Sequence, residues 1–265
     1  MFVRSGDTAV DLDGYRIIVP CISVGNVAQL AVDLLINTLK LPRVGYLDDD
    51  SLLPLVGNDA FDHTGLSGYM HTAGEVYANF ECKTAVVQLR TPIAKGRKLS
   101  FCNNLISWIK SANFTEVILL TSSYSHERKD VQIRGEPYRF LLTPEARDLY
   151  TPLTMDQGWN LLEPRNEDEG SASSVGQDGV LSESQLFLPG SGLAKILYSQ
   201  CCSEHVRLMM FVAFCSQGDN IHDAIAVAAK INSWLKLLPK ENDRLWCVPS
   251  SWSLMYGGPS PNTLF

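Results

Sequence analysis

Three runs of consecutive apolar residues constrain more than any other feature how this chain can fold. They are 16–24 (RIIVPCISV), 116–121 (EVILLT) and 206–215 (VRLMMFVAFC). Strands that are apolar throughout are typical of a largely parallel sheet with both faces covered. Segments with helical spacing of apolar residues lie between these runs. The sequence therefore predicts βαβ units in an α/β fold, with a mixed sheet and helices on both faces.

Weaker patterns complete the predicted sheet and its helices. Short strands are predicted at 44–47, 74–81, 84–90 and 138–142. Amphipathic helices are predicted from Val27 to near Pro42, at 99–109, at 192–202, and at 220–238, where Asn220 can cap the first turn. A chain of 265 residues can bury a large core as one unit, so we interpret residues 1–265 as a single domain.

The segment 163–184 differs in composition from the rest of the chain. Its sequence, EPRNEDEGSASSVGQDGVLSES, has six acidic residues, one basic residue and no aromatic residue. Such a segment cannot bury enough apolar surface to offset the entropy lost on ordering. We therefore predict a mobile acidic loop at 163–184, within the domain, because the strand and helix pattern resumes after it.

Charge, hydropathy and cysteine usage exclude several classes of function. The net charge of −7 makes nucleic acid and anionic membranes poor partners. No apolar run reaches the roughly 18 residues of a membrane-spanning helix, and no signal-peptide pattern is visible. The seven cysteines form no C-x-x-C motif. We expect buried, reduced thiols in a cytosolic or nuclear protein.

The turn after the first apolar run is the best candidate for a small-molecule site. An open α/β sheet normally places its ligand at the carboxyl ends of the strands, and backbone N–H groups at a helix start can bind an anion. The segment 23–27 (SVGNV) stands at such a position, although its single Gly25 can equally serve to turn the chain. The dinucleotide fingerprint G-x-G-x-x-G and the phosphate loop are both absent.

Hydroxyl and imidazole groups follow the second apolar run. Ser122, Ser123, His126 and Asp130 supply the residue types of a catalytic triad, but G-x-S-x-G is absent and His126 begins a charged stretch. We expect no catalytic residue, no cofactor and no metal site. The alternative is a nucleoside-processing or serine hydrolase enzyme. Convergence of Asn26, these serines and His126 in one pocket would favour this alternative.

The C-terminal stretch is rich in aromatic and apolar side chains. Trp252, Met255 and Tyr256 are followed by a proline-containing segment that ends in Leu264 and Phe265. Aromatic and methionine side chains are typical of protein contact surfaces, so these five residues are the candidates for partner binding. Alternatively, Trp252 and Met255 close the core.

Several short stretches carry a resemblance to a known family. They are Pro20-x-x-Ser23-Val24-Gly25-Asn26-Val27, Leu141-Leu142-Thr143-Pro144, Gly218-Asp219-Asn220-Ile221, Pro249-Ser250-Ser251-Trp252 and the ending Leu264-Phe265. Each stretch alone has little specificity. Together and in this order they resemble the proteasome assembly chaperone 2 family over essentially the whole chain, and the acidic segment 163–184 matches least.

The resemblance implies a Rossmann-like fold, related to nucleoside phosphorylases but without their activity. It implies a heterodimer with proteasome assembly chaperone 1 that promotes assembly of the proteasome alpha ring and prevents its off-pathway dimerisation. Some proteins of this group end in hydrophobic–Tyr–any residue, whereas this chain ends in Thr263, Leu264 and Phe265. We therefore expect this tail to make an auxiliary contact. We also expect the isolated chain to expose a large apolar patch and to bind a different partner chain in preference to a second copy of itself.

Overall fold

The computed structural model describes residues 1–5, 10–62, 68–164, 181–238 and 246–254. The strands are β1 (Phe2–Arg4), β2 (Arg16–Pro20), β3 (Arg43–Leu47), β4 (Val56–Asn58), β5 (Met70–Thr72), β6 (Gly74–Asn79), β7 (Thr84–Leu89), β8 (Glu116–Tyr124), β9 (Tyr138–Leu142) and β10 (Leu208–Cys215). The α-helices are α1 (Val27–Leu39), α2 (Lys98–Ser111), α3 (Asp130–Ile133), α4 (Ala194–Ser203) and α5 (Ile221–Leu235).

The three apolar runs become neighbouring parallel strands, all of them interior strands of one eight-stranded sheet. The strand order is β1-β3-β6-β7-β2-β8-β10-β9, and β7, β2, β8 and β10 are parallel to their neighbours within this central group. The outer strands are antiparallel. The strands β4 and β5 form a separate antiparallel hairpin. The predicted mixed sheet is confirmed.

Helices cover both faces of the sheet because side chains alternate along its strands. On β8, Val117 and Leu119 join the core beneath α2 and α4, whereas Ile118 and Leu120 join the core beneath α1 and α5. All four side chains are almost completely buried. The continuously apolar sequence of this strand therefore reflects two cores in one domain, one on each side of the sheet.

The outer edge of β9 is covered by the chain itself. The Phe140 N–H donates to the Asn160 carbonyl at 3.0 Å, and the Leu162 N–H donates to the Phe140 carbonyl at 2.9 Å. Leu161 forms a parallel bridge with Phe140. Residues 160–162 thus pair with the strand that ends the sheet on this side.

Several element boundaries differ from the sequence prediction. Strand β2 ends at Pro20, before the predicted limit at Val24, and β8 continues to Tyr124, beyond the predicted end at Thr121. The Asn220 side chain makes no capping bond; instead the Asp219 carboxylate accepts the Ile221 N–H at 3.0 Å. The three-residue strands β1, β4 and β5 were not predicted, because three residues are too few to show a period.

The acidic segment 163–184 is attached to the fold at both of its ends. Glu163 pairs with the buried Arg139 at 3.0 Å, and Leu181 is buried. Residues 165–180 lie outside the described residues, so the predicted mobility of the acidic loop stays a prediction for them. The sequence predicts a loop that begins at Glu163, because no local pattern indicates the ion pair of Glu163 with Arg139.

Tyr198 provides a test of how the second attachment is held. Its buried hydroxyl donates to the Leu142 carbonyl at 2.9 Å and accepts the Leu181 N–H at 3.1 Å. Tyr198→Phe is expected to lower the free energy of unfolding by about 1–3 kcal/mol, because both backbone groups lose their partner. Urea unfolding measures the change.

The matched control is Tyr138→Phe. The Tyr138 ring stacks on Phe211 with centroids 5.5 Å apart, and no described hydrogen bond involves its hydroxyl. This substitution is expected to change the free energy of unfolding by less than about 0.5 kcal/mol. Equal effects of the two substitutions would contradict a structural role for the Tyr198 hydroxyl.

Candidate functional site

The carboxyl ends of the central strands are occupied by a turn of the chain itself, at 189–191. The Val24 N–H donates to the Gly190 carbonyl at 2.9 Å, and the Tyr124 N–H donates to the Pro189 carbonyl at 3.2 Å. The Thr121 hydroxyl donates to the Ser191 carbonyl at 3.1 Å. Backbone of this turn therefore lies in the region where an open α/β sheet usually binds its ligand.

Gly192 permits this close approach. A Cβ atom at this position would lie 2.1 Å from the Ile22 carbonyl oxygen, and the φ angle is +69°. Any larger residue would be both strained and in collision with backbone, so only glycine fits. The glycines before α4 thus serve packing of the turn against the end of β2.

The hydroxyls of Ser23 and Ser122 are engaged with each other and with backbone. Their Oγ atoms are 2.7 Å apart, and the Ser122 N–H donates to Ser23 Oγ at 3.0 Å. The Ser122 hydroxyl is also within hydrogen-bond distance of the Val24 carbonyl, and this side chain has no exposed surface. Ser122 is thus inaccessible to a substrate in this structure.

The other candidate groups point in different directions. Ser123 is the next residue on β8, so its side chain faces the opposite side of the sheet and donates to the Pro189 carbonyl at 2.8 Å. The His126 side chain is 69% exposed and lies beside the Tyr124 ring. Asn26 is exposed and lines an open cleft with Gln217 and Gly218. Among the described residues, these groups do not converge on one pocket.

Burial disfavours the thiolate form of four of the cysteines. Burial raises the pKa of Cys215 to about 11 and that of Cys102 to about 12, and it raises the pKa of Cys21 and Cys201 as well. All four are buried and free, as predicted, whereas Cys82 and Cys202 are half-buried and Cys247 is exposed. Protonated thiols are weak nucleophiles and poor metal ligands.

Two classes of feature are absent from the residues that the structure describes. No group of three or more histidine, cysteine, aspartate or glutamate side chains could hold a metal ion there. No helix in the same ranges is long and apolar enough to cross a bilayer.

Of the five C-terminal candidates for partner binding, the structure describes Trp252. This residue is 5% exposed, and its side chain belongs to the core beneath α1 and α5. The backbone N–H of Trp252 donates to the Pro249 carbonyl at 3.1 Å. Trp252 therefore has the core-closing position that was the alternative for it. Met255, Tyr256, Leu264 and Phe265 lie outside the described residues, and their partner binding stays a prediction.

A buried polar cluster beside the β4–β5 hairpin was not found from the sequence. Glu75 accepts from Arg43 Nη1 at 2.7 Å and from the Tyr77 hydroxyl at 2.8 Å, and its Oε2 lies 2.6 Å from His71 Nδ1. The other ring nitrogen of His71 lies 3.2 Å from Asp59 Oδ1. Glu75 has no exposed surface. A glutamate in an otherwise buried strand was the available signal for such a cluster.

The chain is similar along its whole length to proteins of one family. The sequence model of the PAC2 family matches residues 17–238. A Danio rerio protein named proteasome assembly chaperone 2 is 40% identical over 268 residues, with 100% of both chains covered. A Homo sapiens protein of the same name is 37% identical over 272 residues, again with 100% of both chains covered. The similarity thus includes the central sheet, the hairpin and the C-terminal residues.

Similarity to solved structures concerns the fold. The crystal structure of Pyrococcus furiosus PbaA, an archaeal homolog of proteasome-assembly chaperone, matches with a TM-score of 0.61. The match covers 91% of this chain and 87% of the archaeal chain at 14% sequence identity. This likeness supports the mixed α/β architecture. It carries no argument about function, because fold by itself does not specify function.

The buried cluster leads to a prediction for Glu75→Gln. Burial raises the pKa of Glu75, but hydrogen bonds from His71 and Tyr77 and the charges of His71 and Arg43 outweigh it, so the pKa lies below the ordinary 4.5. The substitution leaves the Arg43 cation without its buried carboxylate. It is expected to lower the free energy of unfolding at neutral pH by about 3 kcal/mol.

The pH dependence follows from the direction of the shift. A lowered pKa contributes stability that is fully present above about 4.5 and is lost as the pH falls through the folded-state value. Urea unfolding at a series of pH values should therefore show the difference between wild type and Glu75→Gln shrinking in acid. The exposed Glu127→Gln is the control, and a difference independent of pH would contradict the assignment.

Proposed function

This chain belongs to the PAC2 family, and we propose from that membership that it is a proteasome assembly chaperone, a binding protein and not an enzyme. The observation that carries the proposal is the full-length similarity to relatives named proteasome assembly chaperone 2, at 40% and 37% identity. The matched region contains β7, β8 and β10 completely, and it contains β2 except for its first residue, Arg16. Members this similar over their whole length are expected to share their binding role.

The arrangement at the strand ends supports a role without catalysis. We propose that the sheet is a Rossmann-like scaffold of nucleoside-phosphorylase type in which the turn 189–191 has taken the place of a ligand. Ser122 is buried and bonded to Ser23, and His126 is exposed to solvent. A nucleoside-processing or serine hydrolase enzyme would need these groups to meet at one accessible point.

The proposed partner is proteasome assembly chaperone 1. The two chains form a heterodimer that binds subunits of the proteasome alpha ring, promotes assembly of that ring and prevents its off-pathway dimerisation. The complex acts in the cytoplasm and the nucleus. Support comes from the names of the relatives and from the exposed apolar side chains, since a chain that exposes a large apolar patch usually binds another protein.

Reconstitution with purified components tests the proposed function. Alpha-ring subunits are mixed with the heterodimer, with each chaperone chain alone, or with neither. We expect the heterodimer to raise the yield of single alpha rings and to lower the yield of ring dimers, both measured by native gel and mass photometry. Unchanged yields with the heterodimer present would contradict the proposed function.

The C-terminal tail gives a second prediction. Deletion of Leu264 and Phe265 is expected to weaken binding to alpha subunits by about 1–3 kcal/mol, because up to two apolar side chains lose their contact. The domain should keep its melting temperature, and binding to proteasome assembly chaperone 1 is measured alongside. Unchanged affinity of the deletion variant for both partners, or loss of folding, would contradict tail docking.

A further inference from the structure

The β4–β5 hairpin buries a histidine on one face and exposes Val56 and Met70 on the other, where Asn58 and Thr72 also lie. In its register Gly57 faces His71, and Asn58 faces Met70. The inward His71 is 4% exposed, whereas Val56 and Met70 on the outward face are 71% and 60% exposed. A sheet that covers a core normally buries its apolar face and exposes its polar face. This hairpin therefore holds apolar side chains in solvent.

Polar contacts fix the hairpin in this orientation. His71 is bound between Glu75 and Asp59, and the Thr72 N–H donates to Glu75 Oε1 at 3.2 Å. Arg43 Nη1 donates to the Met70 carbonyl at 2.8 Å. A two-stranded sheet alone is marginally stable, so these contacts are needed to keep it in place. The outward face is consequently a preformed surface and not a frayed loop.

Exposed apolar side chains also occur in the residues that adjoin the two strands in sequence. The side chains of this surface are those of Leu53, Leu55, Val56, Tyr69 and Met70, and together they are called the hairpin face. These are five of the twelve large apolar side chains that are exposed among the described residues. Their concentration in two short segments is typical of a surface that another molecule covers.

Acidic side chains border the hairpin face. Asp48, Asp49 and Asp50 line one cleft together with Leu55 and Val56. Asp49 accepts from the Asn104 amide at 2.8 Å and from the Ser51 N–H at 2.8 Å. A matching surface must therefore be apolar at its centre and carry lysine or arginine side chains on this side.

The same border argues against a second copy of this chain. In a twofold symmetric dimer each hairpin face would meet its own image, because both copies use the same surface. Two sets of Asp48, Asp49 and Asp50 would then be brought to one interface, between chains of net charge −7 each. Like charges at an interface disfavour the wrong partner.

We propose that the hairpin face is where this chain binds its heterologous partner, through a surface of that partner that is apolar in the centre and bordered by basic side chains. The inference rests on the proposed function for the identity of the partner chain, proteasome assembly chaperone 1. It assigns the contact to the hairpin, far along the sequence from the C-terminal residues.

A pair of matched double variants of the full chain tests the proposal. Val56→Lys with Met70→Lys places two charges in the hairpin face, and Val131→Lys with Met155→Lys makes the same exchanges at exposed positions elsewhere. Affinity for purified proteasome assembly chaperone 1 is measured by surface plasmon resonance, and melting temperatures confirm folding. We expect about 100-fold weaker binding for the hairpin variant and less than about threefold change for the control.

A second variant tests the acidic border. Asp48→Asn with Asp50→Asn should slow association about tenfold at low salt and reduce its salt dependence, with little change in dissociation, because charges at an interface rim mainly affect encounter. Asp130→Asn with Asp156→Asn is the control of equal charge. Association rates that are equal in the two variants would contradict basic complementarity.

The outcomes separate this inference from the proposed function. If wild type binds the partner and the hairpin variant binds equally well, the hairpin assignment is wrong and the proposed function stands. If folded wild type does not bind the partner at all, the proposed heterodimer is wrong and the hairpin assignment falls with it. If the hairpin variant loses only self-association or only alpha-subunit binding, the occupant is another one and the proposal is overturned.

Discussion

Hydrogen bonds between hydroxyl groups and backbone at the carboxyl ends of β2 and β8 determine what the centre of this molecule can do. Strands that end in a protein interior leave N–H and carbonyl groups that need partners. Here Ser23, Thr121, Ser122 and the turn 189–191 supply those partners from within the chain. These backbone groups at the ends of β2 and β8 are therefore paired within the chain.

With its centre closed in this way, the fold presents its specific features at the periphery. The Glu75 cluster has a different purpose from the strand-end bonds, because it fastens a hairpin onto the sheet and does not cover a strand end. Both arrangements bury polar groups with partners, which is the condition under which burial is tolerated. One places backbone of the turn 189–191 at the carboxyl ends of the central strands, and the other positions Val56 and Met70 in solvent.

Long segments with a regular pattern of apolar residues, continuous or periodic, were predictable from the sequence. Contacts between distant residues were not. The apolar runs gave β2, β8 and β10, since a strand with two covered faces is apolar throughout. Ser122 and Ser123 were placed after β8 because hydroxyls interrupt the apolar run, although both lie within the strand. Arg43 and Glu75 are 32 positions apart, so no local pattern could join them. The three-residue strands carried too little pattern to be found.

The covered outer edge of β9 limits how chains can join end to end. An open edge accepts a further strand, which presents an open edge in turn, and such addition can continue into filaments. Residues 160–162 occupy that position through contacts with Phe140 in the same chain. Growth by strand addition is thereby blocked on this side of the sheet.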